Sequence, residues 1–377
     1  MRSEYCDSLH LNLIMWHDQP QNTTLTLIDY IRGLRVMEMP EKLEKPLFTK
    51  YSLFCRETFY FFPMCYNIAT CVVKREEFPA VKIIDILNKK SMSLSFEVFP
   101  PKKEASFDSV KETTEKIAES KPAFMSVTYG AGGGTSRFTL DIAKTIEEKH
   151  GVPTMAHLTC VSSSKKTIHD KIEEIHNLGI QNIMALRGDL TPELENTDRS
   201  QWDYRHAVEL IREIKESGYD FCIGGACYPE VHPESANQHE DIKHLKEKVE
   251  AGADFLVSQM VFDNNLFYNF LYKIREAGIT CPVVPGIMPI TNAIQVEKAI
   301  KLSGSFMPQR FKAIVDYFGQ DLESMKQAGI AYATDQIIDL YANGVTNVHV
   351  YSMNKPDVAE AIMHNLSNIL WKDYGIE

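Results

Sequence analysis

The chain has 377 residues, enough for one large domain with an appendage or for two domains. Apolar residues make up 44% and charged residues 24%, a composition that supports a large core. The formal net charge of −11 weighs against nucleic acid and anionic membrane as main partners, although a local basic site still accommodates a phosphate.

Residues 1–80 differ in character from the remainder of the chain. They hold four of the eight cysteines, Cys6, Cys55, Cys65 and Cys71, and the aromatic stretch YSLFCRETFYFFPMCYNIATCVV. No sustained period of 3.6 or 2 runs through them. They are expected to be an extension: a poorly structured segment or misassigned start, an interaction or localisation arm, or a small ordered cap. The remaining cysteines are Cys160, Cys222, Cys227 and Cys281; no CxxC pair or zinc spacing occurs, which fits a reducing cytoplasmic compartment. Neither a signal peptide nor an apolar run of membrane-spanning length is visible.

From Val81 the pattern is regular. VKIIDILNKK reads as a short amphipathic helix. Eight strand candidates come after it, at 93–99, 124–130, 153–160, 182–189, 222–229, 255–262, 282–289 and 345–353. Between them lie amphipathic helices that stop at Gly151, Gly179, Gly218, Gly252, Gly278 and Gly344. Residues 292–344 must hold more than one helix. Eight βα units over residues 81–377 predict a (β/α)8 barrel. The rival open doubly wound sheet lacks a G-x-G-x-x-G after its first strand.

A barrel of this kind builds its site at the C-terminal ends of its strands. Polar groups gather there: Glu97, Thr128-Tyr129, His157, Arg187-Gly188-Asp189, Tyr228 to His232, Gln259 and Tyr351. Each has a plainer reading. Glu97, between Phe96 and Val98, is a functional interior carboxylate or a surface residue on a misread strand. Asp189 is an ion-pair partner or helix cap, and His157 a satisfied core histidine. The glycines of GAGGGTS form a tight turn or admit a ligand close to the backbone. His157, Glu230 and His232 form a possible metal set without diagnostic spacing. No G-x-S-x-G elbow appears, and no lysine lies in a strand. Acid–base or cofactor chemistry remains.

Six motifs then carry a resemblance: SFEVFPPK (95–102), SVTYGAGGGT (126–135), HLTC (157–160), LRGD (186–189), YPEVHPE (228–234) and PGIMPI (285–290). In this order and spacing, residues 81–371 resemble bacterial-type methylenetetrahydrofolate reductase. The resemblance implies a barrel with noncovalent FAD and ping-pong hydride transfer from NADH or NADPH to 5,10-methylenetetrahydrofolate. It implies Glu97 as general acid and Asp189 as the carboxylate near flavin and folate. It assigns Thr128, Tyr129, Ala131, His157, Arg187, Gly188, Tyr228, His232, Asp241 and Lys248 to FAD, with Asp189 beside them. Gln259, Gln295, Tyr351 and Lys355 fall to folate or nicotinamide, with no metal. Departures occur at His244, Glu247, Lys355 and Ala299. The resemblance also implies a homo-oligomer and a folate substrate, with no nucleic-acid or membrane partner. The chain stops soon after its eighth helix, so a regulatory C-terminal domain and S-adenosylmethionine inhibition are not expected. A metal-dependent barrel aldolase or hydrolase, or a barrel binding protein without catalysis, are the alternatives.

Overall fold

A computed structural model describes residues 81–101, 104–129, 136–190, 194 and 197–371, with two short strands nearer the N-terminus. The chain divides into two units, Met1–Glu77 and Phe78–Glu377. In the first, Asn12–Met15 pairs antiparallel with Thr23–Thr26. Four-residue strands are too short to sustain a visible alternation. The other expectations for residues 1–80 fall outside the described residues.

The second unit is a closed barrel of eight parallel strands. In chain order they are β1 (Ser93–Val98), β2 (Met125–Val127), β3 (Thr154–Thr159), β4 (Asn182–Leu186), β5 (Cys222–Cys227), β6 (Phe255–Met260), β7 (Val283–Ile287) and β8 (Asn347–Tyr351). Closure is made by β8 on β1, with Asn347 opposite Ser93 and Tyr351 opposite Glu97. All eight predicted strands are present, most of them shorter at their ends than the apolar runs suggested. The six helix-ending glycines all have positive φ, between 63° and 118°, as the stop-and-turn reading requires. Three helices fill the long last connection: α8 (Ala293–Ser303), α9 (Gln309–Phe318) and α10 (Leu322–Ala342).

The pattern of β1, SLSFEV, explains the layering. Leu94, Phe96 and Val98 face outward into the large core shared with the helices. Ser93, Ser95 and Glu97 are the alternate positions and face the lumen. On β8, Val348 and Val350 join the outer core, while Asn347, His349 and Tyr351 alternate with them. The lumen is apolar at its lower end and polar towards the C-terminal mouth.

The lower end is plugged by α1 (Ile83–Leu87), whose Ile83 and Leu87 pack on Phe124, Met155, Met184, Phe255 and Val284. Burying two such side chains contributes roughly 1.5–3 kcal/mol each. Two buried asparagines at strand starts hold the plug. Asn182 accepts from Ile83 N at 2.8 Å and donates to Val81 O at 3.0 Å, and Asn347 donates to Leu87 O at 3.1 Å. Among the described residues no helix is long and apolar enough to cross a membrane.

Candidate active site

Glu97 stands in the lumen at the top of β1. Its register neighbours are Ser126 on β2 and Tyr351 on β8. Glu97 Oε2 lies 3.3 Å from Ser126 Oγ, 3.5 Å from His157 Nε2 and 3.9 Å from His349 Nε2. Burial pushes its carboxyl up to about 8, against the opposing bond from Ser126. Burial likewise drives His157 and His349 down to about 3, His349 also through its proximity to His157. Both rings are therefore neutral, and neither supplies a cation to hold Glu97 ionised. Its backbone is pinned from β8: Ser352 Oγ donates to Glu97 O at 2.6 Å, and Asn354 exchanges two hydrogen bonds with Phe99.

The proton positions are set by a chain of hydroxyls and rings. Ser95 Oγ donates to Val348 O at 3.1 Å and stands 2.7 Å from His349 Nδ1. A carbonyl only accepts, so this network assigns the ring proton to Nδ1, and Nε2 accepts from Ser126 Oγ at 3.0 Å. Ser126 has one proton for two acceptors. With that proton on His349, its contact with Glu97 is satisfied by a protonated carboxyl.

A second group lines the mouth after β4 and β5. Arg187 donates to Gly188 O and pairs with Glu234. Lys248, on α6 (Gln238–Glu250), donates to Ala226 O at 3.0 Å. Burial pushes its ammonium down and Arg187 adds to the effect, while Cys227 and Asp241 oppose it. Asp241 accepts from His232 N at 3.3 Å and from Ser235 Oγ at 2.9 Å. His232 packs edge-on against Tyr228, ring centroids 4.5 Å apart, across a turn in which Val231 has φ 77°. A β-branched residue in that region is a strained backbone held by its surroundings. Burial and then Asp189 push the Tyr228 hydroxyl up to about 12. Asp189 itself is exposed at the mouth. Gly188 has φ 92°, and a Cβ there would meet Val161 at 2.9 Å. Thr128 caps β2, its N–H on Val98 O, with Tyr129 packed on the core. Ala131 lies outside the described residues.

The third group sits over β6 to β8. A step of three along β6, from Val257 to Met260, opposes a step of two on β7, from Val284 to Gly286, an irregularity at Gln259 of the bulge kind. Gln259 Oε1 accepts from Met260 N at 2.9 Å. Tyr351 Oη donates to Ser258 O at 2.7 Å over Gly286, where a Cβ would lie 2.6 Å from both atoms. Gln295 Oε1 accepts from Thr291 N, and Lys355 Nζ donates to Thr291 Oγ1.

The other departures also acquire structural partners. Exposed His244 faces Glu247 at 3.3 Å. Ala299 is buried in an apolar cluster with Phe262, Phe311 and Tyr332.

The groups weighed as a metal set are divided, His157 with Glu97 and His232 with Tyr228 and Asp241. Glu230 turns to Phe306 N at 2.6 Å. Among the described residues no cluster of three His, Cys, Asp or Glu is placed to hold a metal ion. Ser95, Ser126, His349 and Asn354 are site residues that the sequence pattern does not single out for a role.

With this geometry in view, a family model described as Methylenetetrahydrofolate reductase matches residues 82–367. The chain belongs to the methylenetetrahydrofolate reductase family. The Escherichia coli (strain K12) 5,10-methylenetetrahydrofolate reductase is 33% identical over 275 residues, covering 73% of this chain and 90% of that one. The Arabidopsis thaliana methylenetetrahydrofolate reductase (NADH) 1 is 34% identical over 298 residues, covering 76% of this chain and 50% of that one. The chain thus spans about half the length of its plant relatives. A solved structure titled as an uncharacterized Clostridium thermocellum protein that binds two copies of 5-methyl-5,6,7,8-tetrahydrofolic acid superposes with TM-score 0.54 at 14% identity. It covers 78% of this chain and 98% of that one, a likeness of fold.

Proposed function

We propose that this chain reduces 5,10-methylenetetrahydrofolate to 5-methyltetrahydrofolate with NADH or NADPH, in a ping-pong sequence through FAD. The observation that carries the reading is the placement of the Glu97 carboxyl, 12% exposed in the barrel lumen against Ser126, His157 and His349, where burial raises its pKa to about 8. Its proton goes to the bridging nitrogen of the folate, opening the five-membered ring to an iminium cation that accepts hydride. Asp189 supplies the negative charge that stabilises this cation. Exposed to solvent as it is, its effect depends on bound ligands excluding water from the mouth.

Bound FAD would supply the two-electron hydride relay between the half-reactions. The mouth after β4 and β5 fits an anionic, phosphate-bearing cofactor. Lys248 spends one hydrogen bond on a carbonyl and has further donors, and a bound phosphate would relieve the repulsion it feels from Arg187. Thr128, Tyr129, Ala131, His157, Gly188, Asp189, Tyr228, His232 and Asp241 complete that set. Gln259, Gln295, Tyr351 and Lys355 belong to folate and nicotinamide. NADH is the reductant in the name of the Arabidopsis relative. A cytoplasmic homo-oligomer accompanies this reading, and sedimentation of the purified protein checks the assembly.

The direct test is the purified chain itself. It is expected to carry releasable FAD and to oxidise NAD(P)H in proportion to added methylenetetrahydrofolate. A protein that binds no FAD, or that holds FAD without reducing folate, overturns the proposal.

A further inference from the structure

Glu230 has no part in the proton and hydride chemistry, yet its position is unusual. It lies two residues beyond Tyr228, in the strained turn that carries His232. Its half-buried carboxylate accepts from Phe306 N at 2.6 Å, across 76 residues of sequence. Burial raises its pKa and the bond to Phe306 opposes that rise, as for a carboxylate placed to receive a donor. Phe306 lies just past the C-terminal end of α8. That end is organised by its own bonds: Gly304 takes the left-handed C-cap, Ser305 N donates to Ser303 Oγ at 3.1 Å, and Ser303 Oγ donates to Ala299 O at 2.7 Å. A second fastening runs from Ser305 Oγ to Met260 O at 2.9 Å. Tyr228, Glu230, Gln259, Met260, Ser303 and Ser305 line one small cleft. The other end of α8 begins at Ala293 and presents Gln295 in its first turn.

We propose that Glu230 is a positioning residue that couples the two halves of the mouth. Its carboxylate ties the turn bearing Tyr228 and His232 to α8, and so fixes where Gln295 stands. The bond is made just past the far end of α8 from Gln295, so Glu230 acts through the helix. Phe306 supplies only its backbone N–H, and its side chain is 57% exposed. An acceptor held in a partly buried site makes a strong tether, because an N–H donating to a charged oxygen is worth about twice a neutral bond.

The coupling rests on the proposed roles of Tyr228, His232 and Gln295, but its first test does not. In the parent protein, hydrogen exchange at the Phe306 amide is expected to be slow despite the exposed side chain. Glu230→Ala is expected to speed it by about tenfold or more, the loss of one such bond. Glu230→Gln keeps a carbonyl acceptor, a neutral one worth about half as much, and is expected to speed exchange clearly less than Glu230→Ala does. In turnover, Glu230→Ala is expected to raise KM for methylenetetrahydrofolate roughly tenfold, with FAD content and kcat little changed, and Glu230→Gln to recover a large part of that loss. An unprotected Phe306 amide in the parent overturns the tether. So does Glu230→Gln behaving as badly as Glu230→Ala, since charge and not geometry would then be at work. Parental protection lost in Glu230→Ala without any folate reduction in the parent leaves the tether standing and removes the proposed activity instead.

Discussion

Glu97 and His349 share one hydroxyl: Ser126 Oγ stands 3.3 Å from Glu97 Oε2 and 3.0 Å from His349 Nε2, and it has a single proton to give. Donation to the neutral ring leaves the carboxyl to keep its own proton. Ionising Glu97 draws the hydroxyl proton away and leaves a buried ring nitrogen without a donor, a cost of about 1–3 kcal/mol.

This arrangement has a pH signature. Glu97 is raised to about 8, so between its ordinary value of 4.5 and that point the folded state holds a proton the unfolded state has lost. Stability contributed by Glu97 therefore falls as pH rises through that window. His157 and His349, depressed to about 3 from 6.5, act oppositely: the unfolded chain binds protons that the native rings refuse, and stability falls as pH drops below 6.5. Glu97→Gln removes only the first effect. Denaturant melts at a series of pH values are expected to show the variant gaining on the parent from acid to mildly alkaline pH. Parallel profiles would count against a buried neutral Glu97.

Asp189→Asn is expected to slow folate reduction and to raise the flavin potential, on the order of 30 mV for a loss of about 1.4 kcal/mol in a two-electron couple. A redox titration checks it. An unchanged or lower potential removes Asp189 from the flavin's surroundings.

Gly286→Ala tests the seat of Tyr351. The added methyl would fall 2.6 Å from Ser258 O and from Tyr351 Oη. Backbone cannot yield cheaply, so the ring must move, at about 1–3 kcal/mol of overpacking. A melting temperature lower by several degrees and a raised folate KM are expected. Parental values of both would show that the strand pair spreads without disturbing Tyr351.

Much of this was legible in the residues, for identifiable reasons. The repeated glycine that stops a helix before six of the eight strands comes from local backbone chemistry, so the barrel could be counted from the chain. Glu97 was legible as a candidate because a carboxylate between Phe96 and Val98, if its strand is read correctly, is rarely buried unless paired or functional. His349 and Ser126 were not. They lie 223 residues apart, each reads as an ordinary strand residue, and only barrel closure sets them on opposite sides of one proton. The plug was half legible: VKIIDILNKK reads as a helix, but its direction into the barrel floor depends on Asn182 and Asn347, which look like any strand-leading polar residues. The irregularity at Gln259 is a register effect between two strands, invisible in either alone.

That plug sets a boundary. A chain starting at Val81 keeps every bond from Asn182 and Asn347 to α1 and is expected to fold, hold FAD and turn over like the full protein. A chain starting at Asn88 loses Ile83 and Leu87 from the lumen and is expected to melt markedly earlier. Comparing melting temperature and FAD content in the three proteins checks both statements. Failure of the Val81 chain would make the earlier residues part of the enzyme.

On the proposed mechanism, Glu97 gives the proton that folate reduction needs and that flavin reduction does not. Anaerobic mixing of the NADH-reduced protein with methylenetetrahydrofolate, following flavin reoxidation in the parent and in Glu97→Gln, separates the two steps. Reduction by NADH is expected at the parental rate in both. Reoxidation by folate is expected to slow in the variant by roughly 10²–10⁴-fold, the usual worth of a general acid. Reoxidation of Glu97→Gln at the parental rate would show that the proton comes from elsewhere.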